Sequence, residues 1–280
     1  MTDPVVSTAW LADHLHDPDV QIVDASWFLP NEGDRGRHAY VEAHIPGAVF
    51  FDIDQIADKT TALPHMLPTP QAFAEAAGAL GLKREAQVVV YDAQGVFSAP
   101  RVWWTLRVMG FPRAAVLDGG MPRWRAEGRP IESGESPAPK PSKLEPDFHP
   151  ELVRDLAAVR QALTGKAQVV DARPAARFRG EAPEPRPGLR SGHMPGALSL
   201  PFGQLLTAEG TLRPAEELRA AFEGAGVDLS RPLVATCGSG VSAAVLALGL
   251  ARLGRADAAV YDGSWAEWGQ PGDTEVATGG

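Results

Sequence analysis

The 280-residue chain contains a single cysteine, in surroundings that suit a reactive sulfur. Cys237 stands in Pro232-Leu-Val-Ala-Thr-Cys-Gly-Ser-Gly-Val-Ser242, directly after an apolar run and before a helical pattern from Val241 to Leu253. Gly238 and Gly240 let the backbone curl so that successive N–H groups point at one atom. The positive end of the following helix adds to that field, and both effects favour an anionic sulfur, as thiolate or as terminal persulfide. Ser239 and Ser242 offer hydroxyl donors. The competing possibility is an inert buried thiol with Ser242 as helix cap. The two glycines, and the strand-end position at which α/β sheets place their active sites, weigh against it.

Thiolates in strand-to-helix loops also cleave phosphate esters, but that chemistry needs an arginine at the far end of the loop to grip phosphate with paired bonds. Position 243 is Ala, and no Arg or Lys lies between Cys237 and Leu250. A second chemical grouping is Ala176-Arg-Phe-Arg-Gly-Glu-Ala-Pro-Glu-Pro-Arg186-Pro-Gly-Leu-Arg190, an irregular segment with four arginines. Arginine forks match a carboxylate, although such a loop taken alone reads as solvated surface charge.

The elements that must position these groups occur twice. Val20-Gln-Ile-Val-Asp-Ala25 is answered by Ala167-Gln-Val-Val-Asp-Ala172, and Ala43-His-Ile-Pro-Gly-Ala48 by Gly192-His-Met-Pro-Gly-Ala197. Leu117-Asp-Gly-Gly-Met-Pro-Arg-Trp124 is likewise answered by Tyr261-Asp-Gly-Ser-Trp-Ala-Glu-Trp268. Offsets near 145 residues are far too long for a solenoid repeat and indicate duplication of a whole domain. Between the copies, Ser133 to Pro150 carries five prolines and few apolar residues, the composition of an extended connector. Each copy alternates short apolar runs with helical patterns: Val88–Tyr91 precedes Ala99–Val108, and Leu233–Thr236 precedes the helix after Cys237. This predicts an α/β fold with a parallel sheet covered on both faces in each half. The strands align Asp92 with Cys237, so the first copy lacks the nucleophile and Asp92 is expected to make structural hydrogen bonds. His44 and His193 occupy equivalent positions, which suggests a shared task such as fixing the Pro-Gly turn.

A net charge of −9 argues against a nucleic-acid partner. No stretch of ~18 apolar residues suggests a membrane span, and the N-terminal residues do not resemble an export signal. One cysteine allows no internal disulfide and no all-Cys metal site, so a cytoplasmic setting is expected.

The duplicated halves, the two His-x-Pro-Gly-Ala motifs and Cys-Gly-Ser-Gly-Val-Ser together resemble the 3-mercaptopyruvate sulfurtransferases of the rhodanese superfamily over nearly the whole chain. The resemblance implies two tandem rhodanese-like domains: an inactive one over 1–132, the linker 133–150, and a catalytic one over 151–280. It implies that Cys237 takes sulfur from 3-mercaptopyruvate as a persulfide, releases pyruvate, and passes the sulfur to thioredoxin, another thiol or cyanide, without metal or organic cofactor. Arg177 and Arg186 map onto the family's carboxylate-binding pair, while Arg179 and Arg190 remain surface charge. Gly238, Ser239, Gly240, Val241 and Ser242 form the loop that distinguishes this family from thiosulfate-using rhodaneses, whose loops carry basic residues. The one departure is Ser at 242, where Thr is commoner. In related enzymes the histidine matching His44 is linked, with the serine matching Ser239, to proton handling, and Asp34 is the nearest candidate for an acidic partner. His65, in Leu63-Pro-His-Met-Leu, lies in another stretch typical of the family and has no assigned chemistry. Two alternatives stand beside this reading: a thiosulfate sulfurtransferase, and a non-catalytic rhodanese-like binding module.

Overall fold

The computed structural model describes residues 3–29 and 35–279; Asp34 lies outside the described residues. The chain forms two compact units. The first comprises residues 1–59, 67–149 and 208–212, and the second residues 60–66, 150–207 and 213–280.

In the first unit, strands β1 (Val5–Val6), β2 (Val20–Asp24), β3 (Val49–Phe50), β4 (Gln87–Tyr91) and β5 (Ala114–Leu117) form one parallel sheet in the order β1-β5-β4-β2-β3. Val88, Val89 and Val90 of the central β4 are fully buried, as continuous apolar strands must be when helices cover both faces. Helices α1 (Thr8–Asp13), α2 (Arg35–Glu42), α3 (Pro70–Ala79), α4 (Ala99–Val108) and α5 (Gly120–Ala126) connect them. Local chemistry sets their starts: Ser7 Oγ accepts from Trp10 N at 3.1 Å, and Thr69 Oγ1 accepts from Ala72 N at 3.2 Å with Pro70 opening α3.

The second unit repeats the plan with β6 (Val153–Arg154), β7 (Gln168–Asp171), β8 (Leu198–Ser199), β9 (Leu233–Thr236) and β10 (Ala259–Tyr261), in the order β6-β10-β9-β7-β8 and again parallel. Its helices are α6 (Leu156–Thr164), α7 (Ala175–Phe178), α8 (Ala215–Gly224), α9 (Ala243–Arg252) and α10 (Ser264–Trp268). Every residue of α9 from Ala243 to Ala251 is buried, so the helix that follows Cys237 is locked in the core. It begins two residues later than the sequence pattern indicates, because Val241 and Ser242 still belong to the loop. Ser242 sits at the N-cap position, but its backbone is helical (φ −72°, ψ −17°) and its side chain makes no capping bond.

The connector is extended, and it is fastened to the first unit. Ser142 N donates to Gly78 O at 2.9 Å, Arg84 bonds Asp147 at 2.9 Å and Glu145 O at 2.7 Å, and His149 N donates to Val108 O at 2.8 Å.

Candidate active site

Cys237 lies where β9 ends, 2% exposed, with Ser239 and Val241 also buried. Gly240 adopts φ +78°, the left-handed turn that brings the loop round to α9. Gly238 serves a different purpose. A Cβ there would stand 3.1 Å from the NH2 nitrogen of Arg177, so the missing side chain lets a guanidinium lie against the cysteine loop.

The backbone of Cys237 is pinned from below by the turn that opens α10. Its N–H donates to Ser264 Oγ at 3.2 Å, its carbonyl accepts from Trp265 N at 2.9 Å, and Gly238 O accepts from Ala266 N at 2.8 Å. Ser264 is fully buried and holds φ +49°, rare for a residue with a side chain; its hydroxyl donates to Tyr261 O at 2.8 Å. The residues alone did not single out Ser264. A signal existed, because the first copy has Gly120 at the same place, with φ +50°.

Arg177 is held by a buried ion-pair chain. Glu184, its side chain 2% exposed, bonds both Arg177 NH2 and Arg173 NH1, the latter at 2.8 Å. Arg173 in turn forks onto Asp171 at the end of β7, with NH2 2.7 Å from Oδ2, and donates to Gly192 O at 2.8 Å. Its guanidinium stacks 4.2 Å over Trp265, next to the serine that pins the nucleophile. A charge so buried is tolerable only when paired on every side, and this arrangement pairs it. Neither Arg173 nor Glu184 was evident from the sequence.

Arg186, half-buried, donates from NH2 to Nε2 of His65 at 3.1 Å. Arg179 pairs with exposed Glu181, as surface charge does. Arg190 corrects the expectation of surface charge: it donates to Trp268 O at 3.0 Å and Thr274 O at 2.8 Å and also bonds the Thr274 hydroxyl, clamping the C-terminal segment.

His44 belongs to the first unit and Cys237 to the second. The imidazole is 1% exposed and stacked on Tyr40, with Nδ1 2.9 Å from Tyr40 O and Nε2 3.0 Å from Ser136 Oγ. Its backbone bridges Glu132. A ring engaged at both nitrogens is suited to holding the turn, which runs against the proton-handling role expected for it. His193 is the same device in the second unit: Nδ1 bonds Phe178 O at 2.9 Å, the rings stack at 3.8 Å, and the backbone bridges Ala277.

The place of Cys237 is taken in the first unit by Asp92. Oδ2 accepts from Phe97 N, Ser98 N and Ala99 N at 2.8–3.0 Å, and Oδ1 accepts from Gln94 N at 2.8 Å. The neighbouring Asp24, which corresponds to Asp171, has Ser26 where the second unit has Arg173. Burial raises its pKa to about 6, against opposing hydrogen bonds from Ser26 and Tyr91. Among the described residues no cluster of His, Cys, Asp or Glu could hold a metal ion, and no helix is long and apolar enough to cross a membrane.

Comparison with known proteins bears on the whole chain. The sequence profile of the Rhodanese-like domain matches residues 7–127 and again 155–271. The 3-mercaptopyruvate sulfurtransferase of Escherichia coli K12 is 45% identical over 273 residues, covering 97% of this chain and 96% of the relative. The mitochondrial thiosulfate/3-mercaptopyruvate sulfurtransferase 1 of Arabidopsis thaliana is 45% identical over 296 residues, covering 98% of this chain and 78% of the relative. Among solved structures, SseA from Escherichia coli, a 3-mercaptopyruvate sulfotransferase of rhodanese fold, matches with a TM-score of 0.86 at 43% identity, covering 95% of this chain and all of that one.

Proposed function

The chain belongs to the rhodanese family, and from that premise we propose that it is a 3-mercaptopyruvate sulfurtransferase working through a persulfide on Cys237. The observation that carries this reading is the seat of the sulfur: a buried cysteine at a strand-to-helix loop, with the Arg177 guanidinium lying against Gly238 and no side-chain charge in the loop itself.

In the first step, Arg177 and Arg186 hold the α-keto carboxylate of 3-mercaptopyruvate. Glu184 engages Nε and NH2 of Arg177, which fixes the guanidinium plane and leaves NH1 as the edge for substrate. The Cys237 thiolate attacks the substrate sulfur. A new S–S bond forms, the substrate's C–S bond breaks, and its electron pair leaves on carbon as the enolate of pyruvate, which then takes up a proton. The N–H groups of the loop from Gly238 to Ser242, with the Ser239 hydroxyl, stabilise the persulfide anion. In the second step a thiol, such as that of reduced thioredoxin, or cyanide removes the outer sulfur and restores the thiolate. We assign His44 to fixing the His-x-Pro-Gly-Ala turn and give it no proton-transfer step. The single cysteine fits a cytoplasmic setting, where thiol acceptors stay reduced.

Thiosulfate use is the second reading, favoured by the dual name of the Arabidopsis thaliana relative. It places a dianionic sulfonate beside the transferred sulfur, at a loop that offers no basic side chain to neutralise it. Intact-mass measurement after exposure to 3-mercaptopyruvate tests the proposal. The enzyme gains one sulfur that a reductant removes and that the Cys237→Ser variant does not acquire. A protein of unchanged mass ends the proposal, and exposure to thiosulfate then separates the second reading, which gains one sulfur, from a binding module, which gains none.

A further inference from the structure

The carboxyl ends of β2 and β7 are built alike. Ser26 N donates to Asp24 Oδ1 at 2.8 Å, as Arg173 N donates to Asp171 Oδ1 at 2.9 Å. Beside them Met121 N donates to Asp92 O at 3.0 Å, as Trp265 N donates to Cys237 O at 2.9 Å. In the second unit the Arg173 side chain fills the space within this frame, forked onto Asp171, bonded to Gly192 O and stacked on Trp265. The first unit has Ser26 instead, whose short side chain accepts from Ala93 N at 2.9 Å. A cavity of about 280 Å³ opens there, and its wall includes Asp24, Ser26, Ala43 and Met121, the counterparts of Asp171, Arg173, Gly192 and Trp265. We propose that this cavity is a binding site for a free guanidino acid, whose guanidinium enters the seat that Arg173 occupies in the second unit.

The floor of the cavity calls for a cation. Asp24 is 1% exposed, and among the described residues it receives hydrogen bonds from Ser26 and Tyr91 but meets no positive charge. Near neutral pH the site therefore presents a buried carboxylate without a counter-ion, a costly arrangement that a bound cation relieves. A planar guanidinium supplies the paired N–H bonds and the flat face that Arg173 uses against Asp171 and Trp265, with Met121 as the apolar surface in place of the indole. The rim selects the rest of the ligand. Glu42 and Arg125 line it, both exposed, and neither takes part in an ion pair among the described residues. Arg125 suits an outward carboxylate and Glu42 an ammonium, the two charges of an amino acid. A cavity of this size stands at the small end of ligand sites and holds one short molecule.

Titration of the full chain with methylguanidinium, free L-arginine and acetyl-arginine methylamide tests the site, at constant ionic strength and read by the amide NMR shifts of Ser26, Ala93 and Met121. Methylguanidinium gives saturable shifts with a Kd of about 1 mM, and methylammonium, a point charge without the fork, binds at least roughly tenfold more weakly. Free arginine binds about fivefold more tightly than its capped form, which lacks the charges that face Arg125 and Glu42. Affinity for methylguanidinium falls roughly tenfold from pH ~7.5 to ~5 as Asp24, which faces Tyr91, Asp92, Glu42 and Arg125, takes up a proton. Ser26→Arg fills the seat with the chain's own guanidinium and abolishes binding, while Asp24→Asn keeps the shape, removes the charge and weakens binding at least about tenfold. Asp24→Asn decides alone where the bulkier variant does not fold. A wild type without saturable shifts, or an Asp24→Asn variant that binds as the wild type does, overturns the proposal. Capped arginine that binds as tightly as free arginine gives the seat to a protein side chain and overturns the assignment to a free acid.

Discussion

The loops that leave β4 and β9 come from equivalent strands and enter equivalent helices, yet they are completed differently. In the first unit the loop folds over the carboxylate of its own leading residue, and Asp92 receives four backbone N–H groups. In the second unit the leading residue is Cys237, whose amide points away to Ser264 and whose side chain is a sulfur. A backbone of this shape is a cradle for negative charge. The first half fills it permanently with a carboxylate, and the second puts there the cysteine that we propose carries the transferred sulfur. The surroundings diverge to match: Asp24 beside Asp92 has a serine neighbour and rises toward neutrality, whereas Asp171 is locked to Arg173 and through Glu184 to Arg177.

The largest expected effect breaks the contrast at the sulfur. Cys237→Ser abolishes turnover with every donor while the fold persists, since a hydroxyl neither ionises near neutral pH nor carries a transferable sulfur. Adding Asp92→Cys to that variant does not restore it, because the first loop lacks the Arg173–Glu184–Arg177 chain. Turnover by the double variant, measured as pyruvate release, would show that the loop alone suffices.

Donor choice comes next. The wild type prefers 3-mercaptopyruvate to thiosulfate by at least ~100-fold in kcat/KM, about 2.7 kcal/mol in transition-state binding. Gly238→Arg with Ser239→Lys narrows that gap from both sides, by supplying charge for thiosulfate and by crowding the space that Arg177 occupies beside Gly238. Side-by-side kinetics decide it, and a wild type that favours thiosulfate refutes the substrate assignment without touching sulfur transfer.

A smaller effect sharpens the contrast from the first unit. Asp92→Asn turns an N–H₂ group toward buried N–H donors and lowers stability by about 2–3 kcal/mol, read by denaturant titration, while kcat stays at the wild-type value. Equal stability of the two proteins would show that the carboxylate is not what closes that loop.

The smallest effect is a pH dependence. Asp24 has a folded pKa of about 6 against an ordinary value of 3.8, so the folded state holds its proton more tightly than the unfolded chain. Its contribution to stability is fully present below the unfolded value and is lost as pH rises through about 6. Between pH 7 and pH 5 this single group adds about 1 kcal/mol to the wild type. Asp24→Asn removes that part of the slope; parallel pH-stability curves for the two proteins would contradict the assignment.

The residues that sequence made legible obey regular patterns. The buried apolar runs of β4 and β9, the duplicated Asp and His motifs, and a cysteine trailing a buried strand all follow from spacing that repeats. The ion-pair chain does not, since Arg173, Arg177 and Glu184 meet across a proline-interrupted loop where no period tells which side chains face one another. Ser264 stayed hidden because serine seldom adopts positive φ, and only the aligned Gly120 betrayed the backbone it needs. His65 could be noticed as a motif but not placed, because nothing local says that its segment belongs with the second unit.

Neither unit is one continuous piece of chain, and this bears on how the protein can be divided. A fragment beginning at residue 150 lacks His65, to which Arg186 donates, while one ending at residue 149 lacks Leu212, whose N–H donates to Asp118 Oδ1 at 2.8 Å. A cut near residue 150 therefore yields two fragments, each parted from a short segment, 60–66 or 208–212, of its own unit. Expressed separately, they should behave as complementing fragments that regain activity on mixing, in the manner of a split enzyme.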